Sequence, residues 1–208
     1  PLWDDPHIKP PFGSVQINWG HPLAQGLLGY ILFNEGAGQA RELVRERRGT
    51  AVSGVAGWKT SIKGLTKNWT GNETDWYERD VALEPIRGTW ACAVRRSGTV
   101  GSYARPFGKT AHNGTDGSGA QFVSYDFEYN PGGAGQNIVN ANINVNGSLK
   151  TTPNYTLDDA TIAHVNSASF DGTVLRYYLN GIERTSLNAS GDMTYDTSTT
   201  GRLLLGGS

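Results

Sequence analysis

The chain has 208 residues, a formal net charge of -1, 37% hydrophobic and 18% charged residues, and 28 glycines. This size suits one all-β domain with a real core, and the near-neutral charge builds no positive field for nucleic acid. No stretch is long and apolar enough to cross a bilayer as a helix, and the lone Cys92 excludes an internal disulfide.

Residues 1–22 read as an extended arm punctuated by Pro1, Pro6, Pro10, Pro11 and Pro22, without the basic and apolar regions of a signal peptide. Trp3, Phe12 and Trp19 are its large apolar anchors, suited to docking on its own domain or on a neighbouring subunit. Residues 23–208 read as the folded body. Residues 27–33 form an apolar run expected to be a buried strand. Residues 39–47 are the one stretch that reads as a short helix. Its cluster Arg41, Arg45, Arg47 and Arg48 is interleaved with Glu42 and Glu46, the pattern of a solvated face.

Further strands are expected at 89–95, 121–129, 137–146, 160–170, 173–179 and 202–206. Cys92 lies in the apolar run 90–94 and reads as a small buried residue. Asp171-Gly172 and Asn180-Gly181 each separate apolar runs and favour tight hairpins. Closely spaced strands without helical crossovers must pair antiparallel, which gives a sandwich or barrel.

The sharpest pattern is Val139-Asn140-Ala141-Asn142-Ile143-Asn144-Val145-Asn146. Because side chains alternate across a strand, it has an apolar face and an asparagine face. The preceding run alternates Tyr125, Phe127 and Tyr129 with Asp126 and Glu128, and residues 131–135 make a plausible hairpin loop. Paired, the two strands carry one apolar face and one rich in amides and carboxylates. Amides donate and accept, so Asn140, Asn142 and Asn144 suit sugar hydroxyls beside an aromatic platform, for which Trp76 and Tyr77 are candidates. The same asparagines also read as a solvated face that keeps the sheet soluble.

Several segments together resemble laminin-G-like domains of the concanavalin A-like lectin/glucanase superfamily. They are residues 21–36 (HPLAQGLLGYILFNEG), 68–77 (NWTGNETDWY), His164-Val165 with the 169–181 hairpin (SFDGTVLRYYLNG), and Leu203-Leu204-Leu205-Gly206-Gly207. The resemblance implies a jelly-roll sandwich of two antiparallel sheets, in a family made mostly of binding modules with some glycoside hydrolases. The Pro-rich start joined to residues 17–27 (INWGHPLAQGL) is similar to the openings of phage and prophage proteins with this fold, which implies a virion component. Between His164 and Phe170 the chain is one residue longer than the family pattern, so a β-bulge is expected there. The family's closing strand would follow Ser208.

Glu73 and Glu78 resemble the two carboxylates of laminarinase-type glucanases, where one is nucleophile and the other acid/base. Five positions apart, they share a strand face only across a bulge, and Trp76 stands where those enzymes carry an aliphatic residue. No catalytic residue is therefore assigned. Gly108-Lys109-Thr110 lacks the glycine and helix of a phosphate loop. His7, His21, His112 and His164 lack metal-ligand spacing, so no metal set is assigned. Asn72, Glu73 and Asp75 are clustered oxygen donors that leave calcium possible, although three ligands fall short of the six to eight it takes.

Three readings follow. The first is a non-catalytic virion-surface protein, a capsid decoration or fibre component, oligomeric or lattice-bound, docking through its arm on capsid or fibre subunits or on surface glycans. The second is a secreted carbohydrate-binding module using the asparagine face. The third is a glucanase-type glycoside hydrolase. Nucleic acid and membrane insertion are not expected in any of them.

Overall fold

The computed structural model describes residues 16–33, 40–53, 57–61, 64–68, 74–77, 81–95, 104–112, 120–131, 133, 136–158, 162–195 and 201–205. Short 3-10 turns lie at Pro22–Ala24 and Val81–Leu83. The strands, in chain order, are β1 (Arg41–Glu42), β2 (Arg47–Arg48), β3 (Thr50–Ser53), β4 (Gly57–Ser61), β5 (Gly64–Asn68), β6 (Thr74–Tyr77), β7 (Gly88–Val94) and β8 (Ala104–His112). They continue with β9 (Ala120–Tyr129), β10 (Ile138–Val145), β11 (Ser148–Thr151), β12 (Tyr155–Thr156), β13 (His164–Phe170), β14 (Val174–Leu179), β15 (Ile182–Asn188) and β16 (Gly201–Leu205).

Among the described residues, the large sheet runs β11-β10-β9-β8-β16-β6-β3, with β12 also paired to β10. The second sheet runs β15-β14-β13-β7, and β1-β2 and β4-β5 form separate hairpins. The chain is an all-β, two-sheet antiparallel jelly-roll sandwich, as expected. Between its layers, Tyr125, Phe127, Tyr129, Val139, Ala141 and Ile143 of the large sheet meet Trp90, Ala168, Phe170, Leu175 and Tyr177 of the small one in one buried cluster. Ring centroids of Trp90 and Tyr125 are 5.3 Å apart, and those of Phe127 and Tyr177 are 6.2 Å apart.

Both expected small-sheet hairpins form. Asp171 accepts the N–H groups of Thr173 and Val174 and ion-pairs with Arg176 at 2.6 Å. These contacts, Arg176 foremost, hold its carboxyl well below the usual range. Asn180 and Gly181 have φ of 52° and 79°, the left-handed pair that a two-residue hairpin loop requires. The bulge expected in 164–170 is absent. β13 pairs with β7 residue for residue from His164 to Phe170, and the irregularity sits instead in the β14–β15 pairing, where Tyr177 and Tyr178 face Thr185 and Glu183 and leave Arg184 of β15 unpaired.

Two other expectations are corrected. Of the helix expected at 39–47, the described residues 40–47 hold none: β1 and β2 form a hairpin instead. Glu42 is enclosed rather than solvated, and its carboxylate accepts the N–H groups of Tyr30, Val44 and Arg45 at 2.7–3.0 Å. Those bonds turn the chain where a helix would have continued. Residues 27–33 make one isolated bridge, Ile31 to Glu42, in place of a buried strand. At Phe33 φ is 58°, a left-handed value no strand tolerates. Of the arm, Trp3 and Phe12 lie outside the described residues, while Trp19 and Leu23 are 55% and 84% exposed.

A polar chain runs through the core. His164 Nδ1 faces the Ile162 carbonyl and so carries its proton, which leaves Nε2 to accept from the Tyr129 hydroxyl at 2.6 Å. Asn166 donates to the same hydroxyl at 2.9 Å and accepts from the Tyr177 hydroxyl at 2.7 Å. Burial pushes the nearby Cys92 thiol up to about 12, against a weak opposing contact from Asn166, so it is an inert packing group. Because the polar chain is fully partnered, removing its hub is expensive. Tyr177→Phe, which orphans one buried acceptor, should cost about 1–3 kcal/mol. Asn166→Ala, which leaves the Tyr177 hydroxyl without its acceptor, takes a donor from Tyr129 and opens a cavity, should cost more. Urea midpoints check the order; equal and negligible costs would contradict it.

Candidate functional site

The other face of β9 and β10 is where the polar residues of the alternation collect. Register sets Asp126 opposite Asn142, and Glu128 opposite Asn140. Asn142 donates to Asp126 Oδ1 at 2.7 Å and to Asn140 Oδ1 at 3.2 Å, and accepts from the Thr151 hydroxyl at 2.6 Å. Asn140 in turn donates to Asn154 Oδ1 at 3.1 Å. From β8, Arg105 spans both carboxylates, with Nε on Asp126 at 2.8 Å and Nη2 on Glu128 at 3.1 Å.

The asparagine face is therefore not solvated. Asn140, Asn142 and Asn144 are only 2%, 3% and 6% exposed, and Asp126 is fully enclosed. Asn140, Asn142 and Asp126 satisfy one another, and Arg105 lies against both acids. That is how polar groups survive burial on a sheet. Asn146 alone of the four asparagines is exposed; it sits in the β10–β11 turn with φ of 51°.

Register carries this face further across the sheet. Thr151, Asn142, Asp126, Gly108, Leu204 and Trp76 are successive cross-strand partners from β11 to β6. At about 4.8 Å per strand the row spans about 24 Å. Gly108 is required at its centre: a Cβ there would lie 2.5 Å from Asp126 Cβ. Trp76 thus shares the row of Asp126 and Asn142. Tyr77 falls in the neighbouring row of Leu203, Lys109 and Tyr125, which belongs to the core side. Lys109, buried there, ion-pairs with Glu84 at 3.1 Å, so residues 108–110 are strand and not a phosphate loop.

Glu73, Glu78 and Asn72 lie outside the described residues, and Asp75 is placed opposite Leu205 and Ala51 by register. Among the described residues no three His, Cys, Asp or Glu side chains come together as a metal set. Sequence reasoning missed Arg105, Gly108, Thr151 and Asn154. Arg105 and Gly108 reach the face from β8, Thr151 from β11 and Asn154 from the segment between β11 and β12, and no local motif announces them.

No family model and no curated protein matches the chain. Solved structures do. A carbohydrate binding module from Bacillus subtilis matches at 14% identity and TM-score 0.40, over 76% of this chain and 91% of that one. Domain 4 of AbnA, an extracellular arabinanase from Geobacillus stearothermophilus solved with arabinotriose, matches at 13% identity and TM-score 0.45, over 76% and 72%. A Bacillus licheniformis β-glucanase matches at 16% identity and TM-score 0.40, over 71% and 61%.

Burial raises the Asp126 carboxyl from its ordinary 3.8 to about 6, with Arg105 and then Asn142 pulling it down and Glu128 pushing it up. Between these two values the folded chain holds a proton that the unfolded chain releases, so this group's stabilisation falls as pH rises from about 4 to about 6. The loss is on the order of 2–3 kcal/mol. Asp126→Asn should flatten that part of a plot of urea midpoint against pH; an unchanged slope would show that Asp126 is not the titrating group.

Proposed function

We propose that the chain is a non-catalytic, extracellular glycan-binding module whose ligand lies along the polar row of the large sheet. The observation that carries this reading is the fixed hydrogen-bond row from Thr151 through Asn142 to Asp126, continued across bare Gly108 toward the register position of Trp76. Sugar rings present hydroxyls that both donate and accept, and apolar faces that stack on aromatic rings. Thr151 and Asn154, the exposed groups at the β11 end of the network, together with an aromatic residue in the same row, supply both, on side chains that the buried amides and acids hold in place. Locking matters because side chains already ordered lose little entropy on binding.

Binding is favoured over hydrolysis by the state of the acids on this face, while Glu73 and Glu78 lie outside the described residues. A glycosidase needs two carboxyls free to reach opposite sides of a glycosidic bond. Here Asp126 and Glu128 are both held by Arg105. A second reading, attachment to a virion or another protein lattice through the arm, draws on the exposure of Trp19 and Leu23.

Isothermal titration against soluble polysaccharides (mixed-linkage β-1,3-1,4-glucan, laminarin, linear arabinan, levan) should give binding to at least one. Trp76→Ala should weaken it about tenfold, equivalent to about 1.4 kcal/mol, with no new reducing ends released. A blank panel would end the glycan reading, and release of reducing ends would restore the hydrolase.

A further inference from the structure

A β-bulge re-aims a side chain, and the small sheet carries one at its edge. Arg184 is the extra residue of β15, between Glu183 opposite Tyr178 and Thr185 opposite Tyr177. Ser186 faces Arg176 on the outer side, and the extra residue breaks the alternation that would carry Arg184 to that same side. The Arg184 guanidinium lies instead over the ring of Tyr155, 5.2 Å from its centroid. The neighbouring acid, Glu183, is directed to Arg176 at 3.9 Å.

Tyr155 belongs to the other sheet. β12 pairs it with Val139 of β10, and its ring centroid is 6.2 Å from that of Tyr177 in the core. Arg184 and Tyr155 thus join the edges of the two sheets by a cation–π contact. The residue before Tyr155 is Asn154, which is exposed and turns to the polar side, where its Oδ1 accepts from Asn140 at 3.1 Å. Upstream the chain is fastened at Thr152, whose N–H donates to the Ala141 carbonyl and whose hydroxyl accepts the Ala141 N–H, both at 3.0 Å. Downstream it is fastened by the two residue pairs of β12 and by the Leu157 N–H on the Asn137 carbonyl at 2.8 Å. Pro153 and Asn154 span the gap, both exposed. The pose of Asn154 therefore depends on how firmly the next residue, Tyr155, is held.

Resting on the glycan-binding reading, we propose that Arg184 is a positioning residue for that site. From the opposite sheet it fixes Tyr155, and so holds Asn154 where its amide meets a sugar hydroxyl.

The test uses Arg184→Ala, Arg184→Lys, Asn154→Ala and the double variant of Asn154→Ala with Arg184→Ala, with thermal unfolding to show that each is folded. In the free protein, hydrogen exchange of the Asn140 side-chain amide reports its bond to Asn154. Arg184→Ala is expected to speed that exchange about two- to fivefold, the weight of one exposed cation–π contact. Arg184→Lys, which keeps a cation over the ring, should restore most of the protection. In titrations with mixed-linkage β-1,3-1,4-glucan, laminarin, linear arabinan and levan, Arg184→Ala should weaken binding by the same factor of about two to five. The double variant should bind no worse than Asn154→Ala alone. Unchanged Asn140 exchange in Arg184→Ala would overturn the positioning role, whether or not a glycan binds. An equal further loss of binding in the Asn154→Ala background would overturn it as well and leave the glycan reading standing. A wild type that binds none of the four would overturn the glycan reading and the binding role of Arg184 with it.

Discussion

One guanidinium sets the terms on which the polar face exists. Asp126 and Glu128 sit two apart on β9, so the pleat sends both to the same side, where neither has open water. Two carboxylates in that position repel each other, and Asp126, which has lost its hydration, is pushed toward the neutral form. Arg105 arrives from β8 with a forked, permanently charged group and takes one acid on each side of the fork. Asn142 then closes on the far oxygen of Asp126, and the rest of the ladder follows from Asn142. Close approach of β8 to β9 at Gly108 completes the arrangement, since any side chain there would strike Asp126.

A buried ionic network of this kind does little for stability. Apolar residues of similar volume would commonly hold a sheet at least as well. Its effect is geometric: hydrogen-bonding groups that would wander on an open surface are pinned in a row of known spacing. The core side of the same strands does the stabilising, with Phe127, Val139, Ala141 and Ile143 all at 0% exposure. β9 and β10 thus divide the labour by parity, even positions carrying the polar network and odd positions the cohesion of the core.

That division was legible because a period of two in a run of eight residues has few other meanings, and the two turns at Asp171 and Asn180 were legible because few residues adopt their backbone. What covers the asparagines was not. Asn140, Asn142 and Asn144 look solvated until Arg105, Thr151 and Asn154 are brought to them by strand pairing. β8 escaped notice because Pro106 and Gly108 argue against a strand and its three register shifts blur any alternation. The helix expected at 39–47 failed for a tertiary reason: Glu42 turns inward to hold Tyr30 and its own following turn. Trp76 could be proposed as a partner of the asparagines from residue type alone, but only the register through β16 and β8 separates it from Tyr77.

The most direct measurement is a side-chain amide and guanidinium NMR titration of the whole chain with a neutral polysaccharide that it binds. The account requires the largest shifts at the exposed Asn154 amide, with smaller ones at Asn140 and Asn142 behind it. Shifts confined to the opposite sheet, β15-β14-β13-β7, with the Asn154, Asn140 and Asn142 resonances unmoved, would contradict it.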